Sequence, residues 1–163
     1  MKLREVTIDD AKFLFEIKQG RDFQKYYPAT LIPKTLEIQK RELKKDIRSA
    51  KRNLCKIFII RDNKKNVGFT DVYKINQKHK RCSLGYGIKE EFCGNGYATK
   101  ATKLTLKKIN SLGMHTVEAT AHPKNIASQK VLEKNGFTKV GLMKDYYYSK
   151  GKYVDRILYW KVL

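Results

Sequence analysis

Apolar positions recur along this chain with two different periods, and the changes of period divide it into elements. Lys2 to Thr7 reads as a strand, followed by a helix that Thr7 or Asp9 caps and that buries Phe13, Leu14 and Ile17. A plainer helix follows the N-cap Thr35, with Leu36, Leu43, Ile47, Ala50 and Leu54 at helical spacing. Residues 56–61 and 67–75 read as paired strands joined by the turn Asp-Asn-Lys-Lys-Asn, and Arg81 to Ile88 as a third strand. Ala98, Ala101, Thr105, Ile109 and Leu112 then share one face of a helix that stops at Gly113. Thr116 to Ala121 predicts a strand, residues 126–135 a helix, and Phe137 to Lys144 with Tyr153 to Val162 a closing antiparallel pair. The pattern as a whole predicts an α+β fold: a mixed, mostly antiparallel sheet flanked by helices.

A length of 163 residues with 41% hydrophobic content suits one domain spanning 1–163, and no linker, repeat or low-complexity segment divides it. No apolar run approaches the roughly 18 residues that a membrane helix needs, and the Met-Lys-Leu-Arg-Glu start lacks the apolar stretch of a signal peptide. A soluble, cytoplasmic protein is the expectation. Cysteines at 55, 82 and 93 are odd in number and widely spaced, which predicts free thiols and neither a disulfide framework nor a metal site.

The chemistry concentrates around Phe92-Cys93-Gly94-Asn95-Gly96-Tyr97-Ala98-Thr99, a glycine turn set between a strand and a helix. Glycines at 94 and 96 tolerate positive φ, so successive N–H groups can converge on one anion. Tyr97 and Ala98 open a helix whose unpaired N–H groups and dipole add to that attraction. The spacing has neither the Lys-Ser/Thr ending of a P-loop nor the third glycine of a dinucleotide fingerprint. Farther on stands Asn125-Ile-Ala-Ser128, leading through a helix to Glu-Lys-Asn-Gly136-Phe137, and the chain ends with Gly151-Lys-Tyr-Val-Asp155-Arg-Ile-Leu-Tyr159.

These three segments, in this order, resemble the GNAT superfamily of acetyl-CoA-dependent N-acyltransferases, and the last resembles the branch that acetylates the N-termini of ribosomal proteins. The resemblance implies the GNAT fold and acetyl-CoA as cosubstrate, with the turn Cys93 to Thr99 cradling its pyrophosphate. It also implies that Ile88, Lys89 and Glu90 dock the pantetheine at an edge opened between the fourth and fifth strands. Asn125 then orients the pantetheine or the incoming amine, unless it only caps its helix, and Ser128 sits near the sulfur as a proton donor. Acyl transfer further needs a neutral amine and a stabilised tetrahedral oxyanion. For the base, Glu118 in the preceding strand and His122 are candidates, each with a plain structural alternative. The chain departs from the family pattern twice. Tyr146, Tyr147 and Tyr148 stand where some members carry a carboxylate, and Cys93 replaces the usual Gln or Arg. At a helix start beside an anion nest, Cys93 is expected to have a lowered thiol pKa.

Charge bears on the acceptor. Lys plus Arg number 36 against 16 acids, a net +20, and seven basic residues fall between Lys40 and Arg52. Such a field draws in the anionic coenzyme and polyanions and repels free polyamines unless a local acidic pocket intervenes. The expected partner is therefore a protein N-terminal amine, as on a ribosomal protein close to RNA. The alternatives are a small amine such as a polyamine or antibiotic, or a GNAT-shaped module that binds nucleic acid without catalysis.

Overall fold

The computed structural model describes residues 1–163 and contains a single seven-stranded sheet. Its strands are β1 (Lys2–Glu5), β2 (Lys56–Asp62), β3 (Lys65–Asn76), β4 (Arg81–Ile88), β5 (Thr116–Ala121), β6 (Thr138–Ser149) and β7 (Lys152–Val162), in spatial order β1-β2-β3-β4-β5-β7-β6. Every neighbouring pair is antiparallel except β4 and β5. Alternation along the strands divides the core between the two sheet faces. Helices α1 (Ala11–Gln19), α2 (Arg21–Tyr26) and α3 (Leu36–Lys51) are associated with the face carrying Ile59 and Phe69, where Leu14, Ile17, Phe23 and Leu43 pack. Helices α4 (Tyr97–Ser111) and α5 (Ile126–Lys134) belong with the opposite cluster, which joins Phe58, Val72, Leu84, Ile109, Val117, Leu132 and Tyr159. No helix is long and apolar enough to cross a membrane.

Several predicted boundaries shift, each for a local reason. The first helix is broken at Gly20 into α1 and α2. Its start is organised by Asp10, whose carboxylate accepts from the Thr7 N–H at 2.7 Å and from both Arg4 amino groups at 2.7 and 2.9 Å. Thr35 caps α3 as expected, accepting from the Ile38 N–H, but α3 ends at Lys51 and leaves Leu54 46% exposed beyond it. The β2–β3 turn is tighter than predicted, with left-handed Asn63 at φ 50°. Strand β6 does not stop at Lys144; its register with β7 slips between Met143 and Tyr147 and pairing then resumes to Ser149. The bulge contains Asp145 at φ 54°, whose N–H bonds the Asp155 carboxylate at 3.0 Å. Tyr147 and Tyr148 consequently belong to a strand.

The fold opens where the chain turns parallel. β4 and β5 pair only at Arg81–Thr116, Cys82–Val117 and Ser83–Glu118. From Leu84 onward β4 continues alone on that side, and the gap leads from one face of the sheet to the other.

Candidate active site

The glycine turn has the backbone that its sequence predicts. Gly94 and Gly96 lie at φ 82° and 75°, and beyond the adjoining residues no atom stands within 4 Å of where a Cβ would be at either position. Gly96 is the N-cap of α4, and the first helical bond there runs from Lys100 N–H to Gly96 O at 3.1 Å. The N–H groups of Tyr97 to Thr99 precede it and have no helical partner, which with the helix dipole makes this end suited to an anion.

A groove of about 380 Å³ runs from this turn to the β4–β5 gap. Of the expected cofactor residues, Ile88, Cys93, Gly94, Gly96, Tyr97, Ala98 and Thr99 line it, and Asn125 and Ser128 close its inner end. Lys89, Glu90 and Asn95 do not. The Lys89 ammonium stands 3.8 Å from Glu16 and 3.6 Å from Glu91, the Glu90 carboxylate accepts from Arg21 at 2.6 Å, and the Asn95 amide bonds back to the Phe92 and Cys93 carbonyls. Those side chains brace the turn. Lys130 and Lys134, one helical turn apart on α5, border the groove and give it cations that suit phosphate groups. Their i, i+4 spacing was the available signal, hidden among many other lysines.

The thiol of Cys93 differs from expectation. Partial burial, followed by Asp22 and Glu90, pushes its pKa up rather than down.

On the other side of the gap lies a second cavity of about 410 Å³, roofed by α1 to α3. The two cavities share Phe23, Tyr27, Tyr86, Asn125 and Ser128. At this junction Asn125 caps α5, its Oδ1 accepting the Ser128 N–H at 3.0 Å, which leaves its Nδ2 for a ligand. Ser128 Oγ is 2.9 Å from the Tyr86 hydroxyl, which also reaches the Ser128 carbonyl at 3.1 Å. Burial raises the Tyr86 pKa, so its hydroxyl keeps its proton. The Tyr27 hydroxyl donates to Tyr86 O at 3.2 Å, and its ring stacks on Phe23 with centroids 4.1 Å apart. Tyr86 and Tyr27 escaped the sequence reading because neither belongs to a motif; only the β4–β5 opening gives them a role.

The expected base candidates are placed differently from one another. His122 lines the second cavity, its pKa lowered by partial burial and by Arg156. Its Nδ1 accepts the Lys124 N–H at 3.0 Å, so in the neutral ring the proton sits on Nε2 and the lone pair is already engaged. Glu118 lines neither cavity: Ser83 Oγ donates to it at 2.6 Å where β4 and β5 still pair, and Lys74 stands 3.9 Å away. Of the three tyrosines, only Tyr147 reaches the cavity, beneath the Arg156 guanidinium at 5.1 Å from its ring centroid. Tyr148, 62% exposed, packs against Tyr153.

Comparison with known proteins gives the family. Residues 1–138 match the acetyltransferase (GNAT) domain. The N-acetyltransferase YoaA of Bacillus subtilis, itself uncharacterised, is 28% identical over 96% of this chain and 90% of its own. Among solved structures, the ribosomal L7/L12 alpha-N-protein acetyltransferase RimL in complex with coenzyme A superposes with a TM-score of 0.89 at 21% identity, covering 99% of this chain and 93% of RimL. Spermidine N-acetyltransferase of Vibrio cholerae, in complex with CoA and spermine, gives 0.88 at 20% identity over 99% and 94% of the two chains. The chain thus belongs to the GNAT acetyltransferase family and is an acetyl-CoA-dependent N-acetyltransferase.

Proposed function

We propose that the groove beside the glycine turn holds acetyl-CoA, that the cavity under α1 to α3 holds the amine, and that the two react at Asn125, Ser128 and Tyr86. The observation that carries this reading is the meeting of the two cavities at those residues through the β4–β5 gap. Acetyl-CoA supplies an activated acetyl thioester. The turn amides and the start of α4 fix its phosphates, with Lys130 and Lys134 alongside. Asn125 Nδ2 orients a polar atom of either reactant. The Ser128 and Tyr86 hydroxyls, hydrogen-bonded to each other, relay the proton that the attacking nitrogen loses to the departing sulfur, so that each hydroxyl ends the step protonated. Glu118 lines neither cavity, so it is not the base in this scheme.

The acceptor we favour is a protein N-terminal amine. RimL acts on such an amine, the chain end resembles that branch, and α3 buries Leu43 and Gln39 while turning Lys40 and Lys44 to solvent. A basic face of that kind suits an acceptor presented near RNA. A small cationic amine is the second reading, supported by carboxylates in the cavity wall, Asp71 and Asp46. Calorimetry with acetyl-CoA at about 0.3 M salt, where surface fields are screened, followed by coenzyme A release with N-terminal peptides and with spermidine, tests both. Tight coenzyme binding with turnover of peptides alone supports the first reading, and turnover of spermidine alone the second. Weak, salt-sensitive binding without turnover would overturn the assignment of the groove.

A further inference from the structure

Where α1, α3 and β3 wall the cavity, rather than the α5 segment that carries Asn125 and Ser128, four polar side chains line one void: Lys18 of α1, Gln39 and Asp46 of α3, and Asp71 of β3. Asp71 sits opposite Gly85 in the β3–β4 register, and its carboxylate occupies the space that the missing side chain leaves; a Cβ on Gly85 would collide with Oδ1. Lys18, Asp46 and Asp71 feel one another's charge without closing an ion pair. Gln39 is 2% exposed, and its Oε1 is buried with no hydrogen-bond partner. Two carboxylates and an amide oxygen therefore confront one ammonium, an excess of acceptors and of negative charge inside a molecule of net charge +20. A buried acceptor without a donor is costly, so a ligand carrying N–H groups is the natural complement.

We infer that this part of the cavity is a cation subsite, in which Asp71, Asp46 and Gln39 read a second positively charged N–H group on the acceptor, several bonds away from the amine that is acetylated. The inference rests on the proposal that this cavity holds the acceptor. Lys18 offsets one carboxylate and so limits the subsite to a single added charge. An ammonium or a guanidinium meets the requirement, carried either by a small diamine or by a basic side chain next to a peptide N-terminus.

Paired acceptors test it on the full chain, with coenzyme A release as readout. One pair is hexamethylenediamine and n-hexylamine; the other is the tripeptide Arg-Ala-Ala and its citrulline counterpart, uncharged but of the same shape. The cationic member of at least one pair is expected to have kcat/KM higher by about ten- to a hundred-fold. A preference in the amine pair identifies a diamine as the source of the cation, and one in the peptide pair a basic chain end; either supports the subsite. Asp71→Asn should erase the preference, and Gln39→Leu, which keeps an isosteric apolar wall, should weaken it without lowering Tm. No preference in either pair, or one that survives Asp71→Asn, Asp46→Asn and Gln39→Leu alike, overturns the inference. The same pairs are also titrated by thermal shift without acetyl-CoA. Asp71-dependent binding without turnover upholds the subsite and overturns only the proposed reaction site; neither binding nor turnover overturns the subsite.

Discussion

The groove proposed for the cofactor and the cavity proposed for the acceptor are close in size, about 380 and 410 Å³, yet they are made of different material. At the phosphate end the groove is backbone: two glycines at positive φ and the first turn of α4, contributed within a few consecutive residues. The cavity is assembled from side chains of positions as distant as Leu14 and Arg156. A backbone site depends on local conformation, and local conformation leaves a spacing in the sequence. A side-chain site depends on which elements the fold brings together, and leaves none.

The comparison breaks most sharply at Gly96. Aspartate there must adopt a left-handed conformation at φ 75° and puts a carboxylate at the anion cradle. Gly96→Asp should lose about a hundred-fold or more in acetyl-CoA affinity by calorimetry, while ligand binding in the acceptor cavity remains. Retained acetyl-CoA affinity would remove the backbone cradle from the account.

The next largest effect belongs to the junction, where the two materials meet. Tyr86→Phe keeps the ring and removes the hydroxyl that bonds Ser128, so kcat should fall roughly ten- to a hundred-fold while the acetyl-CoA Kd is unchanged. Ser128→Ala should act similarly, and the double variant should cost little more than either single change, because the two hydroxyls work as one proton chain. Fully additive losses would mean that the two hydroxyls act separately.

The same division explains how much was legible beforehand. β5 was predicted with the ends it has, Thr116 and Ala121, because a short alternating run between turn signals admits few readings. The turn at Gly94 and Gly96, the N-caps Thr35 and Asn125 and the buried face of α4 were legible for the same local reason. Leu54 was wrongly placed on α3 because helical spacing continues past the point where Arg52 and Asn53 leave the helix, Asn53 at φ 54°. The extension of β6 was missed because a bulge breaks the period of two at Asp145. Asp71 reads as an ordinary strand carboxylate until Gly85 is found opposite it. Glu118 looked like a base for its nearness in sequence to Asn125, whereas pairing of β4 with β5 commits it to Ser83. The raised pKa of Cys93 reflects partial burial and then Asp22, about seventy positions away, which no local reading includes.

The cavity is also expected to mark the stability of the free protein. Burial pushes the Asp71 carboxyl up to about 6 from an ordinary 3.8, with Asp46 raising it and Lys18 opposing. The folded state then keeps a proton that the unfolded chain releases, so this contribution is complete below about pH 4 and fades as pH rises to about 6. Denaturant titrations should show the wild type losing up to about 3 kcal/mol relative to Asp71→Asn across that window. Asp46, also raised by burial, adds a loss of the same sign. Equal pH slopes for the two proteins would place the Asp71 carboxylate in water.

The smallest effect separates the groove's geometry from its electrostatics. Cys93 is exposed and lines the groove, Cys55 is half-buried, and Cys82 is buried with its thiol pushed up to about 12. An alkylating reagent should therefore modify Cys93 first on access alone, then Cys55, with Cys82 last. Because Asp22, Glu90 and partial burial hold its thiol above the ordinary range, the rate at neutral pH should fall below that of free cysteine, since only the thiolate reacts. Saturating acetyl-CoA should slow Cys93 and leave Cys55 unchanged, as read by mass spectrometry of the intact protein. A rate above that of free cysteine would mean that the α4 N-terminus outweighs the two carboxylates, and the positive field at the turn would then extend beyond the backbone cradle to the side chains around it.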